Sequence, residues 1–450
     1  MAAGTGGRWT RRPSGPLSGF AQDTRQLTAG QVFVALRTEQ RDGHDFLSAA
    51  QANGASAALV GREVPGVPLP QLVVADPLRA FQGIAREHRR GFPGTVIGVS
   101  GSVGKTSTKD LLGVLLGGPP KVLKTEGNLN NHLGVPLTLT RLDAALHDYG
   151  VIEAGISGPG EMAPLAEMIE PDHSLITLVA PAHLERLGSL DGVAREKARL
   201  PAANRDGGLA VFPRSCLQFE FFRALANPLV LVPESEDSGT VPGRTMKFNI
   251  AHRPEHTEVT LAGKRRFRLR RVTSGMAQNA ALALTLATEL GLGDAVLQTR
   301  LADWQPSPWR GELRQSGDAS IYCDFYNANP AAMADAIDAF TGMVSADRPR
   351  LYVLGCMEEL GREAGAYHRQ LGQLLHLRPG DFLFVIGDQA AALREGLLEN
   401  GNDPAQIAVS TSLQPVRERL ADFKGAVFLK GSRRYQLETV LNLPTAAAAH

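Results

Sequence analysis

The sequence predicts an α/β protein of three domains: a small N-terminal α/β domain (1–92), a central parallel-sheet domain (93–305) and a C-terminal open α/β domain (306–450). Three observations point there. Apolar strand-like runs alternate with helix-like runs along most of the chain. Two Gly/Pro-rich breaks, GFPG at 91–94 and QPSPWRG at 305–311, divide that alternation. The 450 residues also match about three domains of about 150 residues each.

In the first segment VFVAL (32–36), AALV (57–60) and QLVVA (71–75) read as strands, and FLSAAQANGA (46–55) as a helix stopped by glycine. A helix, PLRAFQGIAREHRR, leads to the first break. Beyond it TVIGVSG is a strand, KTSTKDLLGVLLG a helix, and YGVIEAG and HSLITLVA further strands, the order of a parallel sheet with helices on both faces. Residues 204–272 change character: FRALANPLVLVPE and TEVTLAGKRRFRLRRV read as short strands with turns, a mixed extension of that sheet. QNAALALTLATELG (278–291) returns to a helix that begins beside Asn279. After the second break IYCDFY, RLYVLG, DFLFVIG and AVFLKGS read as strands, with helices such as AAMADAIDAF and QLGQLLHL between them. The first nineteen residues, with Arg8, Arg11 and Arg12 but no apolar core, read as a flexible lead; a transit peptide is the alternative.

Composition narrows the function. Forty-seven basic against 46 acidic side chains leave a net charge of +1, which excludes attachment to nucleic acid or an anionic membrane by bulk charge. No apolar run approaches a bilayer span, so no membrane insertion is expected. Cys216, Cys323 and Cys356 are too few and scattered for a disulfide framework or zinc ribbon, which fits a reducing cytoplasm.

The sharpest local signal is Gly101-Ser102-Val103-Gly104-Lys105-Thr106-Ser107, between a strand and a helix. In that setting successive backbone N–H groups and the helix N-terminus hold phosphate oxygens. Lys105 would reach the β- and γ-phosphates and Thr106 would turn its hydroxyl to Mg²⁺. The bland alternative is an ordinary strand–helix turn. Glu153 closes the strand YGVIEAG; at the carboxyl end of a parallel strand it would stand beside the loop and could hold Mg²⁺, a hard ion that prefers oxygen.

GNLNNHLGVPLTL (127–139), AHLERLGSLDGVAREKA (182–198), DFYNANPAAM (324–333), GCMEELG (355–361) and LKGSRR (429–434), with DTRQLTAGQVFVAL and DGHDF near the start, resemble motifs of the Mur ligases. Within that family they are most similar to the branch that joins D-alanyl-D-alanine to UDP-N-acetylmuramoyl-tripeptide. The resemblance covers about residues 20–435. It implies a UDP-substrate domain, a central P-loop ATPase-type domain and a Rossmann-like C-terminal domain. It implies ATP, two Mg²⁺ ions and amide-bond formation through an acyl phosphate.

The remaining site residues are what that resemblance implies. His183 would bind a second Mg²⁺, and Lys197 would be carbamylated and also meet metal. Asn279 would contact adenine, with Met276 standing where the family has asparagine. Arg310, Asp324, Tyr326 and Asn327 would approach ATP from the opposite side. Thr24, Arg25, Asp42 and His44 would meet the UDP-sugar end. Asn128, Asn130 and Asn131 would line the path to the reacting carboxylate, and Lys430 and Arg433 would pair with a substrate carboxylate. The expected enzyme is a monomer. A Mur-type ligase with another acceptor, or an inactive nucleotide-binding relative, are the alternatives.

Overall fold

The computed structural model describes residues 1–237 and 239–441. Among them the chain forms three sheets. The first holds β1 (Arg8–Trp9), β2 (Phe20–Ala21), β3 (Val32–Val34), β4 (Ala57–Val60) and β5 (Gln71–Val73), in the order β1-β5-β4-β3-β2. The expected flexible lead is therefore corrected. Arg8 and Trp9 pair antiparallel with Val73 and Leu72. Gly7 lies so close that a Cβ there would stand 2.7 Å from Val74. A two-residue strand carries no period for a sequence reading to detect.

The second sheet holds β6 (Thr95–Ser100), β7 (Val122–Lys124), β8 (Tyr149–Glu153), β9 (His173–Ile176), β10 (Ala210–Pro213), β11 (Pro228–Pro233), β12 (Arg244–His252), β13 (His256–Leu261) and β14 (Arg265–Arg270). Their order is β14-β13-β12-β11-β10-β9-β6-β8-β7. β6 to β11 are buried strands with apolar residues toward both faces, as parallel strands covered by helices require. Past β11 the sheet becomes the expected mixed extension. β12 is parallel to β11, and the hairpin partners β13 and β14 are antiparallel. β13 alternates partly exposed and buried residues, its buried side on helix Ser274–Glu289.

That helix starts four residues before the expected position. Thr273 caps it by accepting the Met276 N–H at 3.0 Å. Asn279 is thus in the second turn and buried, not at the helix start. The Ser-Gly pair at 274–275 reads as a loop in sequence, which hid the first turn. The Ala-rich helix is buried nearly all round, packed on helix Lys105–Leu115 and the sheet.

The third sheet holds β15 (Glu312–Ser316), β16 (Ala319–Cys323), β17 (Arg350–Gly355), β18 (Phe382–Ile386), β19 (Ile407–Ser410) and β20 (Ala426–Lys430), ordered β15-β16-β20-β17-β18-β19. Only the edge strand β15 is antiparallel to its neighbour. The helix Pro77–Gly91 joins the first two sheets. Phe81 enters one core and Ala85 the other, and buried Arg89 donates to the carbonyls of Ile169 and Glu170 and to Asp172. No described helix is long and apolar enough to cross a membrane.

Candidate functional site

β6 lies between β8 and β9, and the connections leaving those strands diverge from its carboxyl end. Open α/β sheets place ligands at such a point. There Gly101 to Gly104 turn the chain into helix Lys105–Leu115. Two glycines are dictated by space as well as conformation. Gly101 has φ 143°, and a Cβ would fall 1.9 Å from Thr177 Oγ1; Gly104 has φ 76°, and a Cβ would fall 2.1 Å from Asn279 Nδ2. Ser102 and Val103 are tied down as well: Ser102 Oγ donates to the Ala180 carbonyl at 2.8 Å, and Thr177 Oγ1 donates to the Val103 carbonyl at 2.5 Å.

The loop opens on a cleft of about 930 Å³ whose walls come from the second and third sheets. Lys105 Nζ donates back to the Gly101 carbonyl at 3.0 Å. Thr106 Oγ1 donates to Glu153 Oε1 at 3.2 Å, and Asn130 Nδ2 donates to the same oxygen at 2.7 Å. Buried Glu153 Oε2 accepts no hydrogen bond among the described residues and faces Lys109 Nζ at 3.8 Å. Ser107 lies on the first helical turn at the cleft edge.

Lys109 was absent from the sequence reading. It lies four residues after Lys105, one helical turn on, so GKTSTK itself carried the signal. Its ammonium is buried, donates to the Thr125 carbonyl at 2.7 Å and stands 3.5 Å from Asp110. Burial pushes the Lys105 and Lys109 ammoniums down from the usual lysine value, against the pull of Glu153. Lys197 is fully buried on helix Leu190–Ala202. Burial first, and then the charge of Lys105, drive its pKa well down. No hydrogen bond to its ammonium is formed among the described residues.

The third domain closes the cleft from the other side. Arg310 lies over the Tyr326 ring at 4.0 Å. Lys430 Nζ donates to Asp324 Oδ2 at 2.6 Å and approaches the Asn327 carbonyl at 3.4 Å. The two domains also meet at His183, whose Nδ1 pairs with Glu359 Oε2. His183, Glu359 and Gly361 all have left-handed backbones, at φ 53°, 61° and 63°. The Glu185 N–H donates to the Glu359 carbonyl at 3.2 Å. Glu359 belongs to the GCMEELG segment, but as a charged loop residue it offered no sign of its partner.

Other expected residues are placed apart from this cleft or are engaged elsewhere. Asn128, Asn130 and Asn131 line it, but Asn131 Oδ1 accepts the N–H groups of Leu133 and Gly134 and so starts the next helix. Arg433 does not line it; Arg433 pairs with buried Glu438 at 2.6 Å and stacks on Trp309. In the first domain, His44 Nδ1 meets Asp42 Oδ1 at 2.5 Å and its Nε2 accepts the Gly61 N–H at 2.9 Å. Both ring nitrogens are thereby bonded inside the domain. Arg25 is exposed and clamps Asp23, and the Thr24 carbonyl accepts from Asn53.

This arrangement can hold a nucleotide's phosphates on loop N–H groups and Lys105. The Thr106 hydroxyl and the Glu153 carboxylate, with its unbonded buried oxygen, are a hard-oxygen pair that fits Mg²⁺. The described residues hold no cluster of three His, Cys, Asp or Glu side chains able to bind a metal.

Residues 99–287 match the Mur ligase middle domain, and residues 309–433 match the Mur ligase glutamate ligase domain. The UDP-N-acetylmuramoyl-tripeptide–D-alanyl-D-alanine ligase of Escherichia coli strain K12 is 31% identical over 429 residues, which covers 94% of this chain and 93% of that protein. A crystal structure of MurF from Acinetobacter baumannii superposes with a TM-score of 0.84 at 27% identity, covering 98% of this chain and 96% of that one. The MurF ligase of Thermotoga maritima, in complex with ADP, superposes with a TM-score of 0.79 at 28% identity, covering 94% and 96%.

Proposed function

The chain belongs to the Mur ligase family, and from that premise we propose that it is the ATP-dependent ligase that adds D-alanyl-D-alanine to UDP-N-acetylmuramoyl-tripeptide in peptidoglycan precursor synthesis. The observation that carries the reading is one cleft in which a phosphate loop, its lysine and a strand-end carboxylate face a second domain. Joining a carboxylate to an amine in water is uphill. Transfer of the ATP γ-phosphoryl group to the tripeptide carboxylate gives an acyl phosphate and ADP. The D-alanyl-D-alanine amine then attacks the carbonyl carbon, the amide forms, and phosphate leaves.

The chain's own residues supply position and charge rather than covalent chemistry. The loop N–H groups of Gly101 to Ser107 hold the phosphates, and Lys105 swings from the Gly101 carbonyl to the β/γ oxygens. Asn279 braces the loop at Gly104 beside the base, and Arg310, Asp324, Tyr326 and Asn327 close on the nucleotide. Closure excludes water that would hydrolyse the acyl phosphate. Thr106 and Glu153 would hold one Mg²⁺, and His183 and Lys197 would face a second. Magnesium, when bound, neutralises phosphate charge.

A lysine buried beside another lysine is costly as an ammonium. Its depressed pKa favours the free amine, which adds to carbon dioxide with loss of one proton to give a carbamate. The carbamate would set an anion near Lys105, with two oxygens able to meet Mg²⁺. Asn128, Asn130 and Asn131 would line the path to the reacting carboxylate, and Lys430, held by Asp324, and Arg433 would pair with a substrate carboxylate. Thr24, Arg25, Asp42 and His44 would serve the UDP end. The domains divide as 1–92, 93–305 and 306–450. The cleft is walled within one chain, which supports a monomer. The use of ATP and a UDP-linked substrate supports the cytoplasm.

Phosphate release from ATP tests the reading. It should require both UDP-tripeptide and D-alanyl-D-alanine. Equal release without the dipeptide would indicate a bare ATPase, release with a different amine another acceptor, and none under any combination an inactive relative.

A further inference from the structure

The start of helix Ser274–Glu289 is gripped by the third domain. Asp335, on helix Pro330–Met343, accepts the Gly275 N–H on its two oxygens at 3.0 and 3.1 Å. The Thr273 side chain lies beside the same carboxylate, and its hydroxyl oxygen accepts the Met276 N–H at 3.0 Å. Unpaired N–H groups at a helix start favour an anion, so the carboxylate suits its place. Gly275 records the contact. Its φ is not left-handed, and a helical position ordinarily favours alanine over glycine. Yet a Cβ there would lie 2.6 Å from Asp335 Oδ2. The missing side chain is explained by a carboxylate from another domain.

The gripped helix carries Met276 and Asn279 into the cleft, and Asp335 stands in the field of Asp324 and Lys430, which face the same cleft from the third domain. Arg271 on the middle domain also lies in the field of Asp338 on the third. We propose that Asp335 is a positioning residue for nucleotide binding: its bond to Gly275 sets the register between the third domain and the helix that walls the nucleotide cleft. The inference rests on the reading of that helix as the nucleotide wall.

The test is steady-state kinetics and thermal melting of the full-length enzyme as Asp335→Ala, Asp335→Asn, Gly275→Ala, the double variant Gly275→Ala/Asp335→Ala, and Asn279→Ala. Asp335→Ala and Gly275→Ala should each raise KM for ATP about tenfold, the loss expected for one charged hydrogen bond. Neither should change kcat at saturating ATP, nor KM for UDP-tripeptide, by more than about twofold. Asp335→Asn should recover part of the loss, since its amide oxygen still accepts an N–H. The double variant should be no worse than Asp335→Ala, because the added methyl no longer meets a carboxylate. An unchanged KM for ATP in Asp335→Ala, beside a raised one in Asn279→Ala, would overturn the proposal alone. An unchanged KM in both would overturn the nucleotide-wall reading and the proposal with it. Additive effects in the double variant, or a lowered melting point with KM intact, would also overturn it.

Discussion

The phosphate-loop end of the middle sheet and the His44 corner of the first domain use similar residues in opposite ways. At the loop, half-buried Lys105 and fully buried Lys109 and Lys197 crowd one buried carboxylate, and Glu153 keeps an unbonded oxygen. At the His44 corner, Asp42, His44, Arg62 and the Gly61 N–H satisfy one another. Buried charges left without enough partners destabilise a fold unless something else neutralises them. The first region is therefore built around an anionic ligand, and the second is built to hold its own loop. Breaking the two should give opposite signatures: lost turnover without lost stability in one, lost stability without lost chemistry in the other.

Lys105→Ala should show the largest effect. It removes the cation at the β/γ-phosphates and should cut kcat/KM by about 100-fold or more, the scale of losing one charge-stabilising donor in a closed site. The melting point should not fall, since a half-buried cation whose charge opposes that of Lys197 is removed. Near-normal turnover would show that the loop is an ordinary strand–helix turn.

Lys197→Ala should come next, with turnover close to background and partly restored by acetate or formate, which would supply the missing carboxylate. In the wild type, bicarbonate labelled with ¹³C should give a carbamate resonance that Lys197→Ala lacks. A missing resonance together with no rescue would leave Lys197 as a plain buried amine.

The two regions also explain what sequence reading could and could not reach. The loop, Glu153 and the strands around them are contiguous motifs whose chemistry follows from spacing. Asp335 and Glu359 act through contacts 60 and 176 residues away along the chain, and no local pattern reports such partners. The commitment of His44 to Asp42 and Gly61 was equally hidden, because Asp-x-His reads the same whether it faces a ligand or its own loop. Helix Ser274–Glu289 was found but started late, since its cap is a threonine followed by Ser-Gly.

Glu359→Gln probes the seam where the two kinds of partner meet. His183 lies on the middle domain and its carboxylate on the third. A carboxylate on one ring nitrogen fixes a histidine's orientation and raises the basicity of the other. The amide should raise the Mg²⁺ concentration for half-maximal activity by about tenfold and leave KM for UDP-tripeptide alone. A magnesium titration decides it, and an unchanged midpoint would mean the pair serves docking only.

Asp42→Asn sharpens the other side. The His44 backbone N–H, and then its ring, hold the Asp42 carboxyl down at about 2, below its ordinary value of about 3.9. A carboxylate lowered on folding adds stability above its unfolded pKa, and that stability is lost as pH falls from about 4 toward 2. Urea melts at pH 7 should therefore show the variant less stable than the wild type. The gap should narrow toward pH 2, with kcat per folded molecule unchanged at saturating UDP-tripeptide and any lost substrate contact showing in KM alone. A constant gap across that range would remove Asp42 from the acid response.

The smallest effect concerns Met276, which lines the cleft where the family pattern has an asparagine and packs its thioether against the middle core. Neighbouring Asn279 is pressed against Gly104, where a Cβ would fall 2.1 Å from its Nδ2. If the base is held there by packing, adding one directed polar group contributes roughly 0.5–1.5 kcal/mol. Since about 1.4 kcal/mol is tenfold in affinity, Met276→Asn should tighten ATP about two- to tenfold without altering the chemical step. Discrimination against GTP should sharpen too, because a hydrogen bond reads the base edge and a sulfur contact does not. The cost is the thioether's share of the core, so the melting point should fall slightly. Titrating ATP and GTP against both proteins separates the outcomes. Unchanged affinity with a lowered melting point would make Met276 a core residue that happens to face the cleft, and leave recognition of the base to Asn279 and the backbone.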